Sequence, residues 1–439
     1  MKPRHWFRWA MEQGMPRAML RSKARKGEPF ARLMVGAEGR ENPYPILEEL
    51  RRAGKLVPTS INWVTVDYEL TRSILRDNRF GAFITPEINV PGKSGMPEGM
   101  RKLLRSAILP ANPVDPPSLL MLDAPDHTRV RKSVSAAFTP RAIGKLRQQV
   151  EAVTTELLDA LPSDGTVDLI ESFAAHLPMA LIAEMLGVGV DHENRERFLG
   201  WGDKVTPLLD FGVPLRTYRT AAATLDEVDR FLDDLIEELR VNPGDNILSS
   251  LVTANELGPD ELKSTASLLF GAGFETTVNL IGNGVTQLLA HPDQLERVLA
   301  EPGLWPQAVE EILRFDSPVQ STARMALCEL EIAGVTLQPG NVVVMILAGA
   351  NRDPGVFENP HTFDITRKNV REHLSFSSGP HVCLGASLAR MEGTYALRTL
   401  FEQFPDLRLA GTPERREQFN LHGYAHLPVH LGKRVPAAA

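Results

Sequence analysis

Cysteine is nearly absent: Cys328 and Cys383 are the only two in 439 residues. Two cannot build a disulfide framework, and no paired-Cys spacing for a structural zinc exists. The expected compartment is therefore a reducing cytoplasm. Long apolar runs are missing too; none approaches the ~18 residues of a membrane span, and the N-terminus lacks the apolar core of a signal peptide. There is no Gly-x-Gly-x-x-Gly fingerprint for a flavin or nicotinamide, and no cysteine set for an iron–sulfur cluster. Excess positive charge is likewise lacking. The formal net charge of −7 does not suit a nucleic-acid coat, so no nucleic-acid partner is expected.

With 43% hydrophobic and 23% charged residues, the composition is that of an ordinary globular chain with ample core. No repeat or low-complexity linker divides it. Charge does divide it. Residues 1–40 hold ten Lys or Arg against three Glu, while the other 399 hold 38 basic against 52 acidic residues. Mixed with Trp6, Phe7, Trp9, Met11 and Met15, these bases would suit a membrane surface or an acidic partner. A solvated or surface-packed arm is the commoner outcome for such a run. Residues 1–40 are accordingly expected to be a basic extension, and 41–439 a single domain.

The pattern is mostly helical, with long proline-punctuated loops near 91–97 and 110–117. Residues 42–53 read as a helix, 61–68 as a short strand, 325–347 as several strands and 384–404 as a helix. The most informative element is 259–291. Pro259 suits a first helical turn, followed by Asp260 and Glu261 at the positive end of the dipole, and His291-Pro292 closes it. Apolar residues surround this helix, so it should be buried on most sides. Four glycines nevertheless interrupt it, Gly271, Gly273, Gly282 and Gly284, and Glu275-Thr276-Thr277 sits in its apolar middle. Close packing against other helices would explain the glycines but not a buried carboxyl, which is costly unless paired or functional.

A second anchor is Phe376-Ser377-Ser378-Gly379-Pro380-His381-Val382-Cys383-Leu384-Gly385. A lone cysteine is more often inert core. This one sits where an irregular glycine-bearing loop enters a helix, so backbone N–H groups and the helix dipole can stabilise a thiolate. A thiolate so held suits the fifth ligand of a haem iron.

The loop resembles the Cys-ligand signature of the cytochrome P450 family at every defined position. Ala272-Gly273-Phe274-Glu275-Thr276-Thr277 resembles its oxygen-activation motif, Glu311-x-x-Arg314 its Glu-x-x-Arg pair, and His127-Thr128-Arg129-Val130-Arg131 the propionate-binding helix of bacterial members. The four motifs stand in family order across roughly residues 40–435. The resemblance implies a mainly α fold with small β-sheets, the cytochrome P450 fold, with haem b (iron protoporphyrin IX) between the central helix and the Cys loop.

By the same resemblance Cys383 is the proximal ligand, and His127, Arg131, Arg324 and His381 bind the propionates. Thr276 and Glu275 handle dioxygen and protons, Ala272 and Gly273 leave room for oxygen, and Phe376 shields the sulfur. Glu311 and Arg314 form a structural ion pair. Leu268, Leu269, Ala272, Val319, Ala323 and Leu427 wall the substrate pocket under a lid at 83–120. The implied reaction is monooxygenation of a small hydrophobic substrate with O2, using electrons from a ferredoxin and its reductase docked near Arg129, Lys132 and Arg390. Peroxygenation by H2O2 and a non-catalytic recruitment module are the alternatives. One position departs from the family: its third basic residue in the Glu-x-x-Arg network is Thr362 here, which suggests a weaker network. His422, His426 and His430 are spaced four apart, but Gly423 and Pro428 interrupt any helix that would align them, so a turn and strand are expected there, not a metal site.

Overall fold

The computed structural model describes residues 3–82, 112–189, 192–210 and 212–435. Most of the expected lid falls outside the described residues. The remainder is mainly helical, with four small sheets among the described residues.

The segment read as one long helix is one, Pro259–Ala290. At 32 residues it is about 48 Å long. Pro259 occupies its first turn, and the Glu261 carboxylate reaches back to accept the Gly258 N–H at 2.9 Å. Its middle and C-terminal half are buried on nearly every side by Ile170, Phe173, Ile182, Ile312 and Leu397 of the main core. The C-terminal glycines serve helix packing. A Cβ at Gly284 would come within 2.6 Å of Leu397 on the helix Ala386–Gln403. The reading of helix against helix holds there; Gly273, further up, remains half-exposed.

The segment read as strands, 325–347, holds Leu330–Ile332, Val335–Leu337 and Val342–Ile346 and the end of Ser321–Ala326, which begins four residues earlier than expected. Ser321–Ala326 and Val342–Ile346 pair antiparallel in the middle of a five-stranded sheet, flanked by Trp63–Thr65 and Phe80–Ala82. This sheet fixes Arg324 in register opposite Val343 and Ala82. A three-stranded sheet joins Thr166–Asp168, Pro428–His430 and Arg408–Leu409.

The expected boundary at residue 40 is not a break in packing. Leu20, Phe30, Ala31 and Leu33 are buried in one cluster with Ile46, Leu47, Val64 and Ile346. Apolar burial explains the difference: the basic segment carries enough Leu and Phe to join the core, and of its bases Arg8 is buried as well, paired with Asp115.

Candidate functional site

Two elements face each other across the site. On the central helix, burial is interrupted along one stripe: Leu268, Leu269, Ala272, Gly273 and Thr276 are half-exposed within an otherwise buried run. Spacings of three and four put these residues on one face, so they border an open internal space. Thr276 Oγ1 donates to Ala272 O at 2.9 Å, holding its side chain against the helix.

Opposite lies the Cys loop. Ser377 and Gly379 both adopt positive φ, 63° and 71°. At Gly379 a Cβ would meet Leu75 O at 2.4 Å, so only glycine fits. The turn closes with the Cys383 N–H donating to Phe376 O at 2.9 Å, after which the chain enters Ala386–Gln403. Cys383 is surrounded by protein, and burial pushes its thiol pKa up, against the Gly385 N–H, Arg131 and Arg390, which favour the thiolate. Yet the side chain has open surface. Both facts hold if the sulfur faces an enclosed space rather than bulk solvent.

Below the loop, the Phe376 ring rests on the Arg390 guanidinium, 4.5 Å from its centroid. Arg390 in turn donates to Glu310 at 2.8 Å, and Glu310 lies 2.9 Å from His373. Burial would raise the Glu310 pKa, but His373 and Arg390 bring it down to about 2. Arg390 is therefore tied into the loop's support, and Arg129 is paired with Glu261. Of the three bases expected at a docking patch, only Lys132 has no ion pair among the described residues.

Beside Cys383 the structure gathers four basic side chains from distant segments. His127 and Arg131 lie on the helix Asp126–Ala137, Arg324 on the central sheet and His381 in the loop. The His127 and His381 rings are 4.1 Å apart. No carboxylate hydrogen-bonds any of the four among the described residues; Arg324 donates only to Ala323 O and Thr322 Oγ1, and buried His127 Nε2 has no partner. Burial lowers the pKa of all four, and His381, also facing Arg324, His127 and Arg131, falls to about 3. Asp123 faces Arg324 and His127 without hydrogen-bonding either, so Arg131 and Arg324 are desolvated cations short of charge-assisted partners, which is costly. They fit a ligand with two carboxylates at this edge, next to a sulfur open to the same space. A haem with its propionates meets both demands.

Further along, Glu275 is fully buried, and burial raises its pKa to about 7 despite Arg416. Arg416 Nε comes within 2.5 Å of Glu275 Oε1, at angles that make an ionic contact rather than an aligned hydrogen bond. Asp203, at the end of helix His192–Val205, faces the same guanidinium. Nothing in the local sequence around Arg416 signals this contact, which joins residues 141 apart.

Behind the Cys loop, Arg314 donates to Glu311 at 2.7 and 2.8 Å, both residues fully buried. The expectation of a weaker network at Thr362 is corrected here. Arg367 supplies the third cation, its Nε 3.3 Å from Glu311 Oε2, while Thr362 contributes its carbonyl to Arg314 and Arg367. The base has moved five residues along the chain, and the loop folds back far enough to return it to the same carboxylate.

Of the expected pocket wall, Val319 and Ala323 are half-exposed like the helix stripe. Leu427 is instead fully buried, and its carbonyl accepts from Leu169 N–H, so it packs in the core. The three spaced histidines separate as expected: His422 lies near Asp316, His426 near Asp168 and His430 near Asp164.

Comparison with known proteins agrees with this geometry. The family model described as "Cytochrome P450" matches residues 304–421, which include the Glu311 network and the Cys loop. "Putative cytochrome P450 140" of Mycobacterium tuberculosis (strain ATCC 25618 / H37Rv) is 42% identical, over 97% of both chains. The "6-deoxyerythronolide B hydroxylase" of Saccharopolyspora erythraea is 38% identical, covering 88% of this chain and 96% of the relative. Among solved structures, P450BioI in complex with hexadec-9Z-enoic acid ligated acyl carrier protein aligns with a TM-score of 0.80 and 34% identity, over 90% of this chain and all of that one.

Proposed function

The chain belongs to the cytochrome P450 family and is a monooxygenase; within that family we propose that it oxidises a hydrophobic organic substrate, binding haem b through Cys383 and drawing electrons from a separate ferredoxin and its reductase. The observation that carries the site assignment is the group of four desolvated bases that no carboxylate hydrogen-bonds among the described residues, beside a cysteine with open surface. When bound, haem supplies the dioxygen activation and oxygen insertion that no side chain can perform.

The protein's own part is positional and acid–base. Cys383 ligates as thiolate, the form favoured by the Gly385 N–H, Arg131 and Arg390. Arg324, Arg131, His127 and His381 fix the propionate edge by charge-assisted hydrogen bonds. Leu268, Leu269, Val319 and Ala323 hold an apolar substrate and exclude water. Glu275, with a pKa of about 7, can hold a proton or release it near neutral pH. Asp203 and Arg416 connect that carboxyl toward solvent. Thr276 receives the proton's hydrogen-bond chain at the helix face; with its own O–H directed to Ala272 O, its oxygen is left as an acceptor.

A hydrophobic substrate is supported by the apolar stripe, and by what relatives are named for: a 6-deoxyerythronolide B hydroxylase and a protein bound to a fatty-acyl carrier. Separate electron donors are supported by the absence of any flavin or nicotinamide fingerprint from the sequence. The test is reconstitution with ferredoxin, reductase and NADPH under labelled O2, against a panel of lipids, sterols and polyketides. One labelled oxygen in a product, dependent on ferredoxin, supports the reading. Turnover with H2O2 alone and none with the electron donors would replace it by peroxygenation.

A further inference from the structure

The N-terminal helical run, Pro3–Trp9 continued through Ala10–Gly14 into Met15–Ala24, has two unlike faces. Its inner face is a strap. Arg8 pairs with Asp115, Trp9 Nε1 donates to Val213 O at 2.8 Å, and Gln13 Oε1 accepts the N–H groups of Gly212 and Val213 at 2.8 and 3.0 Å. The chain on either side of the tied residues packs on buried positions of the central helix. Pro113 packs against Gly271, and Gly202, just before 206–213, sits so tightly on Phe274 that no Cβ would fit.

The outer face does not look like an ordinary surface. Trp6, Met15 and Met19 are 51%, 61% and 37% exposed, three of the eight large hydrophobic residues exposed among the described ones, all on this one run. Arg21, Arg25 and Lys26 follow at the same end, exposed and in no ion pair among the described residues. A bulky aromatic and two flexible apolar side chains exposed on the run, with exposed cations at its C-terminal end and in the turn after it, match the boundary between headgroups and acyl chains. The charge asymmetry strengthens the match, since the basic segment belongs to an otherwise acidic protein that an anionic surface would repel elsewhere.

We infer that this face docks on an anionic lipid bilayer, the helix lying in the interfacial plane. The inference concerns adsorption only; among the described residues no helix is long and apolar enough to cross a membrane.

The test is flotation of the holoenzyme with phosphatidylcholine vesicles, with and without phosphatidylglycerol, at about 0.05 M and about 0.5 M salt. Binding to the anionic vesicles is expected, falling as salt rises. Combined Arg21→Gln, Arg25→Gln and Lys26→Gln should weaken it about a hundredfold. Combined Trp6→Ser, Met15→Ser and Met19→Ser should also release the protein, with the CO-bound haem spectrum unchanged as the control for folding. Quenching of emission by brominated lipid should disappear in Trp6→Phe. Absence of vesicle binding at low salt, equal binding to phosphatidylcholine alone, or undiminished binding of both combined variants would overturn the inference. So would capture of an acidic protein by this face without any affinity for vesicles. None of these readings depends on turnover, so they stand apart from the substrate and electron-donor proposals.

Discussion

Replacing Glu275 by Gln separates the cost of its burial from its use. Burial raises its pKa from 4.5 to about 7 in the folded protein, with Arg416 only partly opposing the shift. The unfolded chain ionises near 4.5, so the folded state is stabilised relative to it below that pH and loses the advantage as pH rises through 7. Glutamine has the shape of the protonated acid and never ionises. At pH 5, therefore, the Glu275→Gln variant and the natural protein should differ by less than about 1 kcal/mol. By pH 8 the natural protein carries a penalty approaching about 3 kcal/mol, from a shift of some two and a half pH units at 1.36 kcal/mol each, so the variant should be the more stable one. Arg416 loses nothing at pH 5, since its partner is neutral in both proteins, and this keeps the comparison clean. Urea unfolding of both proteins in parallel from pH 5 to 8.5 reads the gap directly. Turnover should move the other way, falling on the order of a hundredfold as the proton carrier is lost. A gap that stays constant with pH, or a variant less stable at pH 8, would refute the buried, titrating carboxyl.

Thr276→Ala should leave folding and substrate binding unchanged while diverting electrons from product to hydrogen peroxide, measured as peroxide formed per NADPH consumed; unchanged coupling would remove Thr276 from the proton path. Arg367→Met should destabilise the protein by about 3 kcal/mol, near the lower end for breaking a buried ionic network, because Glu311 keeps Arg314. Its urea midpoint should fall with little change in the pH profile of turnover, and an unaltered midpoint would mean that the third cation is dispensable.

Much of this molecule was legible in its sequence because its signals are local. The central helix announced itself through Pro259, the acidic first turn and His291-Pro292, and it ends within a residue of that reading. The Cys loop was legible because glycine at 379 and an irregular run before a helix are local demands of a tight turn. Contacts made across long sequence separations were not. Arg367 stands in for a base expected at 362, since a loop can deliver a guanidinium to Glu311 from more than one position. Arg416 reaches Glu275 from an irregular segment with no periodicity to follow. Leu427 was placed in the pocket wall by the family resemblance, but between the strands Tyr424–His426 and Pro428–His430 it is fully buried in the core. The segment before residue 40 read as an arm on its charge, although its apolar face was enough to fold it in.

The central claim is a bond between Cys383 and haem iron, and the direct measurement is the absorption spectrum of the reduced protein under carbon monoxide. The natural protein should show the long-wavelength Soret band of a thiolate-ligated haem, and Cys383→His should lose it while still binding haem. A folded, haem-loaded natural protein without that band, or a Cys383→His variant that retains it, would contradict the account.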